Sequence, residues 1–271
     1  MNIFSSPAQK SNPSPKGKLF IIGGGSRSDK LLKKLIETAA LGKTDHITVL
    51  PMSGADPDTS FYYIKQDLER FCPNVIANLN FTSDKINNKQ WLDSLKTAKL
   101  IFITGGDQAR FMKAVLHTPV YDAIHNAYAG GATVAGTSAG AAVMSRNMIT
   151  GNQLIGDTAY HETFNKLWAN NIEFAEGIGL IDSVIIDQHF IRRSRYNRLI
   201  SALAKFPSYT CIGIDEGTAI IVEKKKITVA GRSQVIVMKQ PEGLKITVDG
   251  LIKFNNVREG IYTDGDSLYL K

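Results

Sequence analysis

Short apolar runs alternate along the chain with longer stretches in which apolar residues recur every three or four positions. Runs at 18–22, 46–50, 75–79 and 100–104 are the length of buried strands. Between them, residues 30–41 carry Leu31, Leu32, Leu35 and Ile36 at helical spacing. Residues 61–71, 91–98 and 110–130 also read as helices, the last as one long element. A fifth strand passes through Val134 and Ala135. Strands and helices alternating at this spacing predict an α/β fold, a doubly wound and mostly parallel sheet with helices on both faces. After Met144 the pattern loosens, and residues 150–177 carry few strong signals. A strand is expected over 178–186. From about 209, short strands at 211–215, 218–222, 227–229, 235–238, 244–248 and 267–270 predict a C-terminal, antiparallel β-rich extension of the same domain. The domain is expected to run over 19–271. Residues 1–18, rich in Ser, Pro and Lys, are expected to be a disordered lead-in.

In such sheets, ligands bind in the loops that follow the C-terminal ends of the strands. One of these loops, Gly136-Thr137-Ser138-Ala139-Gly140, fits G-x-S-x-G between a strand and a helix-forming run. That arrangement thrusts a serine hydroxyl into the crevice. The pentapeptide also fits a glycine-rich turn with an incidental serine. A hydroxyl nucleophile needs a base and an oxyanion hole. Gly106 in Gly105-Gly106-Asp107-Gln108 offers a backbone N–H beside that of Ala139, and Gln108 could hold a substrate carbonyl or amide. Asp107 as a plain helix cap explains the same residues. Gly23-Gly24-Gly25 forms a further loop of a kind at which anions often sit.

Of the five histidines, His189 stands at the end of an apolar run and is the candidate base. Its orienting acid is sought between Ser138 and His189, with Asp157 first and Glu162 second. Arg192, Arg193, Arg195 and Arg198 follow the histidine. If Ser194 caps the helix there, these cations crowd a helix end that is already positive. That marks an anion site; a solvated basic helix start is the plainer alternative. On either view, removing one of the arginines is expected to leave stability unchanged or slightly raised.

Composition changes this picture little. Hydrophobic residues make up 43% of the 271 residues, which suffices for a substantial core. The formal net charge of +7 favours anionic partners. The longest basic run is Lys224-Lys225-Lys226, which speaks against nucleic acid. Cys72 and Cys211 suit neither a disulfide framework nor a metal site. No metal or cofactor is expected. No apolar run is long enough to span a membrane, and residues 1–18 lack the apolar stretch of a signal peptide. The expected location is cytoplasmic, or secreted if a signal has been removed.

Five segments, IIGGG, FITGGDQ, AGTSAGAAVMS, IIDQHFIRRSRYNRL and GIDEGTAI, resemble the cyanophycinase family, which is related to aspartyl dipeptidases of the peptidase E type. The resemblance implies a class I glutamine amidotransferase-like, flavodoxin-like fold with serine as nucleophile. It implies a serine exopeptidase acting on cyanophycin, a poly-aspartate backbone with arginine on each β-carboxyl, to release β-Asp-Arg dipeptides. Carried over to this chain, Ser138 is the nucleophile and His189 the base. Gln108, Gln188, Arg193, Arg195 and Arg198 fall on substrate-binding positions, where arginine suits a chain-end carboxylate. The partner is then a peptide polymer, and a homodimer is left open. The alternatives are an aspartyl dipeptidase for short Asp-X peptides, or a non-catalytic binding protein on the same scaffold.

Overall fold

The structure, a computed structural model, describes residues 15–156 and 161–270. Its first half follows the expected alternation. Strand β1 (Lys18–Ile22) leads to α1 (Asp29–Ala39), where the Ser28 side chain accepts from Leu31 N. Then come β2 (His46–Leu50), α2 (Pro57–Glu69), β3 (Val75–Asn78) and α3 (Lys89–Thr97). β4 (Leu100–Ile103), α4 (Gln108–Val115), α5 (Pro119–Gly130) and β5 (Thr133–Thr137) follow. The single helix expected over 110–130 is two. Pro119 has no N–H to continue a helix and sits instead in the first turn of α5, after His117 at φ 58°. The lead-in is anchored earlier than expected, because Gly17 N donates to Tyr128 O at 2.9 Å. Residues 1–14 of that expectation lie outside the described residues.

β1 to β5 pair in parallel in the order β3-β2-β4-β5-β1. Successive residues of each strand face opposite sides. Leu19 and Ile21 join a core with Leu95, Phe111 and Ile124 from α3, α4 and α5. Phe20 and Ile22 join the other, with Leu31, Leu35 and Ile64 from α1 and α2. Helices therefore cover both faces, as the periodicity required.

The second half begins with α6 (Ala139–Ala142), β6 (Asn147–Gln153), β7 (Ile172–Glu176), β8 (Val184–Gln188) and α7 (Tyr196–Lys205). β9 (Thr210–Ile214), β10 (Thr218–Glu223), β11 (Lys226–Gly231) and β12 (Val235–Glu242) come next. The chain closes with β13 (Lys245–Ile246), β14 (Ile252–Lys253), β15 (Asn256–Tyr262) and β16 (Ser267–Tyr269). The expected extension divides in two. β10, β11 and β16 continue the main sheet antiparallel beyond β1, making eight strands. β8, β9, β12 and β15 form a separate four-stranded sheet in which β8 and β9 run parallel. α7 packs on this second sheet through Leu199, Ala202 and Leu203 against Ile185, Cys211 and Met238.

The strand expected over 178–186 is correspondingly displaced. Ser183 turns the chain at φ 55°, so β8 starts at Val184 and delivers residues 187–189 to the site. The antiparallel ribbon of β6 and β7 carries no apolar period in the sequence, yet it forms one wall of the cavity described below. Among the described residues, no helix is long and apolar enough to cross a membrane.

Candidate active site

Ser138 occupies a sharp corner between β5 and α6, with φ 54° and ψ −112°. A side chain held there stores of order 1–3 kcal/mol of strain, which only an overdetermined surrounding sustains. The flanking glycines supply that surrounding. A Cβ on Gly136 would lie 2.2 Å from Gly140 O, and one on Gly140 would lie 2.3 Å from Ile103 O. The corner is tied to β1 by Ser138 N donating to Ile22 O at 3.1 Å. Ser138 Oγ ends 2.9 Å from His189 Nε2.

His189 follows β8 directly, at φ 49°, and its N–H donates to Gly23 O at 2.7 Å. Its Nδ1 lies 2.6 Å from Glu216 Oε1. Glu216 sits in the turn between β9 and β10, inside the GIDEGTAI segment. The glycine loop after β1 has a steric task here. A Cβ on Gly24 would stand 2.4 Å from His189 Cε1, and one on Gly25 2.8 Å from Glu216 Cβ. The loop lies against the histidine and the glutamate.

The structure brings Glu216 to His189 Nδ1, where Asp157 or Glu162 is the expected acid. The carboxylate beside Nδ1 favours the neutral tautomer with its proton on that nitrogen, and Nδ1–H donates to Glu216 Oε1. Asp157 lies outside the described residues. Glu162 Oε1 is instead 3.5 Å from Arg193 Nε, with its side chain 63% exposed. Burial holds the His189 pKa below its ordinary value. The hydrogen bond to Glu216 opposes that shift, and the Arg193 cation adds to it. The imidazole is therefore neutral near pH 7, the state a general base needs.

The Gly105-Gly106 loop abuts the nucleophile: a Cβ on Gly105 would be 3.3 Å from Ser138 Cβ. Gly106 has φ 135°, and the loop is pinned by Asp107 N and Arg110 Nη1, each donating to Ser53 O at 2.9 Å. Ala139 N–H is the first of a helix and has no acceptor within it. Asp107 caps α4, accepting from Ala109 N and Arg110 N. Gln108 Nε2 donates to Thr150 O at 2.5 Å and Ile149 O at 3.2 Å. Its amide hydrogens thus fasten the β6–β7 ribbon, a role the sequence did not suggest.

The arginines differ most from expectation. α7 starts at Tyr196 with Arg195, not Ser194, at the N-cap, and Ser194 has φ 52°. Arg195 and Arg198 are each 2% exposed, so neither is a solvated cation. Arg198 grips Asp187 with a fork: Nε to Oδ2 at 2.8 Å and Nη2 to Oδ1. Arg195 Nη1 donates to Gln188 O at 2.7 Å and Gln188 Oε1 at 2.9 Å, and its Nε donates to Glu162 O at 3.1 Å. Asp187 is itself 1% exposed, and a buried carboxylate requires such partners.

The expected neutrality of arginine removal is therefore reversed for Arg198. Arg198→Met leaves Asp187 charged and half-partnered and is expected to cost about 3–5 kcal/mol. A thermal melt checks this; an unchanged midpoint would show the pair to be dispensable.

Ser138, Gly106, Gln108 and Gln188 line a cavity of about 530 Å³ together with Asp107, Glu173, Arg193, Arg195 and Arg198. The residues grouped from sequence as nucleophile, oxyanion donor and substrate contacts thus share one cavity, with both signs of charge on its walls.

A serine, a neutral histidine and a glutamate hydrogen-bonded in series, opening on a polar cavity of an α/β sheet, define the protein as a hydrolase of the serine peptidase class. Peptidase family S51 matches residues 19–230, and the chain belongs to that family. It is similar to cyanophycinases of Trichormus variabilis, 32% identical over 267 residues, covering 94% of this chain and 86% of that protein. A cyanophycinase of Synechococcus elongatus is 30% identical over 269 residues, covering 94% and 80%. A solved peptidase from an acI-B1 Actinobacterium shares the fold, with a TM-score of 0.67 at 21% identity, over 95% of this chain and 98% of that one.

Proposed function

We propose that this protein is an exopeptidase that hydrolyses cyanophycin to β-Asp-Arg dipeptides, through one peptidase domain of the class I glutamine amidotransferase type over 19–271. The observation that carries this reading is the Ser138–His189–Glu216 series opening on a cavity lined by both arginines and carboxylates. The polymer carries a guanidinium and a carboxylate in every unit, so a cavity of one sign would repel half of it.

In the mechanism, Ser138 Oγ attacks the scissile carbonyl while His189 Nε2 accepts the hydroxyl proton. The N–H groups of Gly106 and Ala139 stabilise the oxyanion. His189 then gives the proton to the leaving amine. Water, activated by the same nitrogen, hydrolyses the acyl-enzyme and restores Ser138. Glu216 holds the ring with Nδ1–H towards itself and stabilises the imidazolium. Arg193, whose side chain is 31% exposed and lies 3.5 Å from Glu162 Oε1, meets the substrate carboxylate in this reading. Arg195 and Arg198 hold Gln188 and Asp187 in place around it. Incubation with cyanophycin followed by mass analysis tests the reading. β-Asp-Arg released from the polymer supports it; cleavage of short α-linked Asp-X peptides alone would overturn it in favour of a dipeptidase.

Arg193 gives a second test with a defined sign. Arg193→Ala is expected to lower kcat/KM by about 10- to 150-fold, the range for losing a charge-assisted hydrogen bond. Activity requires neutral His189 and is lost as pH falls through its pKa. Arg193 helps to hold that pKa down. The acid limb of the kcat/KM profile should therefore move to higher pH in the variant. An unmoved limb with unchanged kinetics would remove Arg193 from the site.

A further inference from the structure

We propose that Glu173 is the residue that selects arginine in the substrate, by receiving its guanidinium. The inference rests on the reading above that the substrate is an arginine-bearing aspartyl polymer.

Glu173 lies on β7 and lines the same cavity as Ser138. Its two carboxylate oxygens are in different circumstances. Oε2 accepts from Thr150 Oγ1 at 2.6 Å and from Asn152 Nδ2 at 2.8 Å. Both donors are neutral, so the carboxylate is oriented without its charge being neutralised. No described Lys, Arg or His lies within ion-pair distance of it, although three arginines line the same cavity. Those arginines have other partners, Arg198 at Asp187, Arg195 at Gln188 and Arg193 at Glu162. A carboxylate has about four acceptor positions. With Oε2 occupied, the lone pairs of Oε1 remain for a ligand. The chemistry that fits is a planar cation with several N–H donors.

The backbone positions this carboxylate with some precision. The β6–β7 register shifts between Ile149 and Gln153, an irregularity that re-aims side chains, and Gly151 takes φ 103° within it. Gln108 ties the ribbon at Ile149 and Thr150 to the loop beside the nucleophile. One wall of the cavity thus carries Arg193 for a carboxylate, and the ribbon carries Glu173 for a guanidinium. A β-Asp-Arg unit has one of each.

The test compares two synthetic oligomers, one of β-Asp-Arg units and one in which citrulline replaces arginine. Citrulline keeps the shape and loses the charge. The wild type is expected to prefer the arginyl oligomer in kcat/KM by about 10- to 150-fold, the range for a hydrogen bond to a charged group. In Glu173→Gln this ratio should fall towards one, while the melting midpoint stays near that of the wild type. A retained ratio in Glu173→Gln overturns the assignment and leaves the substrate reading standing. A wild type that cleaves neither oligomer overturns both. If Glu173→Gln does not fold, Glu173→Asp decides. Its charge is withdrawn by one methylene, so a reduced ratio supports the assignment and an undiminished one overturns it.

Discussion

Ser138→Ala is expected to abolish turnover, with a loss of about 10⁶ in kcat, the scale seen when a triad nucleophile is removed. The fold should survive. The substitution deletes one oxygen and keeps the Cβ, so the unusual backbone of the corner is neither relieved nor worsened. Gly136 and Gly140 still pack across the turn, and the bond from residue 138 N to Ile22 O involves backbone alone. Only the partner of His189 Nε2 is lost. The measurement is dipeptide release from cyanophycin, with a melting curve beside it. A residual rate of about 10³–10⁴ over water would reflect the oxyanion donors and substrate binding. Turnover near that of the wild type would mean that Ser138 carries no acyl group and that the elbow is only a turn.

What was legible in the sequence is what local patterning controls. Strands two-sided in apolar character and helices with a single apolar stripe specify a covered parallel sheet, and β1 to β5 appear where those patterns lie. The serine corner was legible because its two close contacts demand glycine at 136 and 140. His189 was found by position, at the end of a buried strand. The failures share one cause. Glu216 stands within GIDEGTAI, beyond the interval between Ser138 and His189 in which the acid is expected. β9 lies beside β8, and β10 beside β1, so the turn joining them meets the histidine from later in the chain. The arginines were read as solvated or ligand-binding because charge is normally exposed. That they bury against Asp187 and Gln188 depends on the second sheet, which no local period announces. The β6–β7 ribbon was silent for the same reason: its sequence, NMITGNQ with IEFAE, alternates weakly, and its place is set by Gln108.

Glu216→Gln is the substitution that tests the acid beside His189 Nδ1 against the one expected from sequence. It preserves size, so Gly25 and the turn before β10 keep their packing. It removes the charge that makes Nδ1–H the favoured tautomer. A glutamine can offer its N–H₂ to Nδ1, which places the ring proton on Nε2, where it blocks acceptance from Ser138 Oγ. Loss of the orienting acid is worth about 10⁴ in turnover. The variant should also leave a signature in pH. The hydrogen bond to Glu216 raises the His189 pKa against burial. Without it the pKa falls further, so the acid limb of the residual activity should move to lower pH, opposite to the shift in Arg193→Ala. Asp157→Asn and Glu162→Gln, made alongside, should each stay within about tenfold of the wild type, against the far larger cost of an orienting acid. A rate loss in Asp157→Asn that matches or exceeds the loss in Glu216→Gln would return the role to Asp157 and leave Glu216 as a structural neighbour of the base.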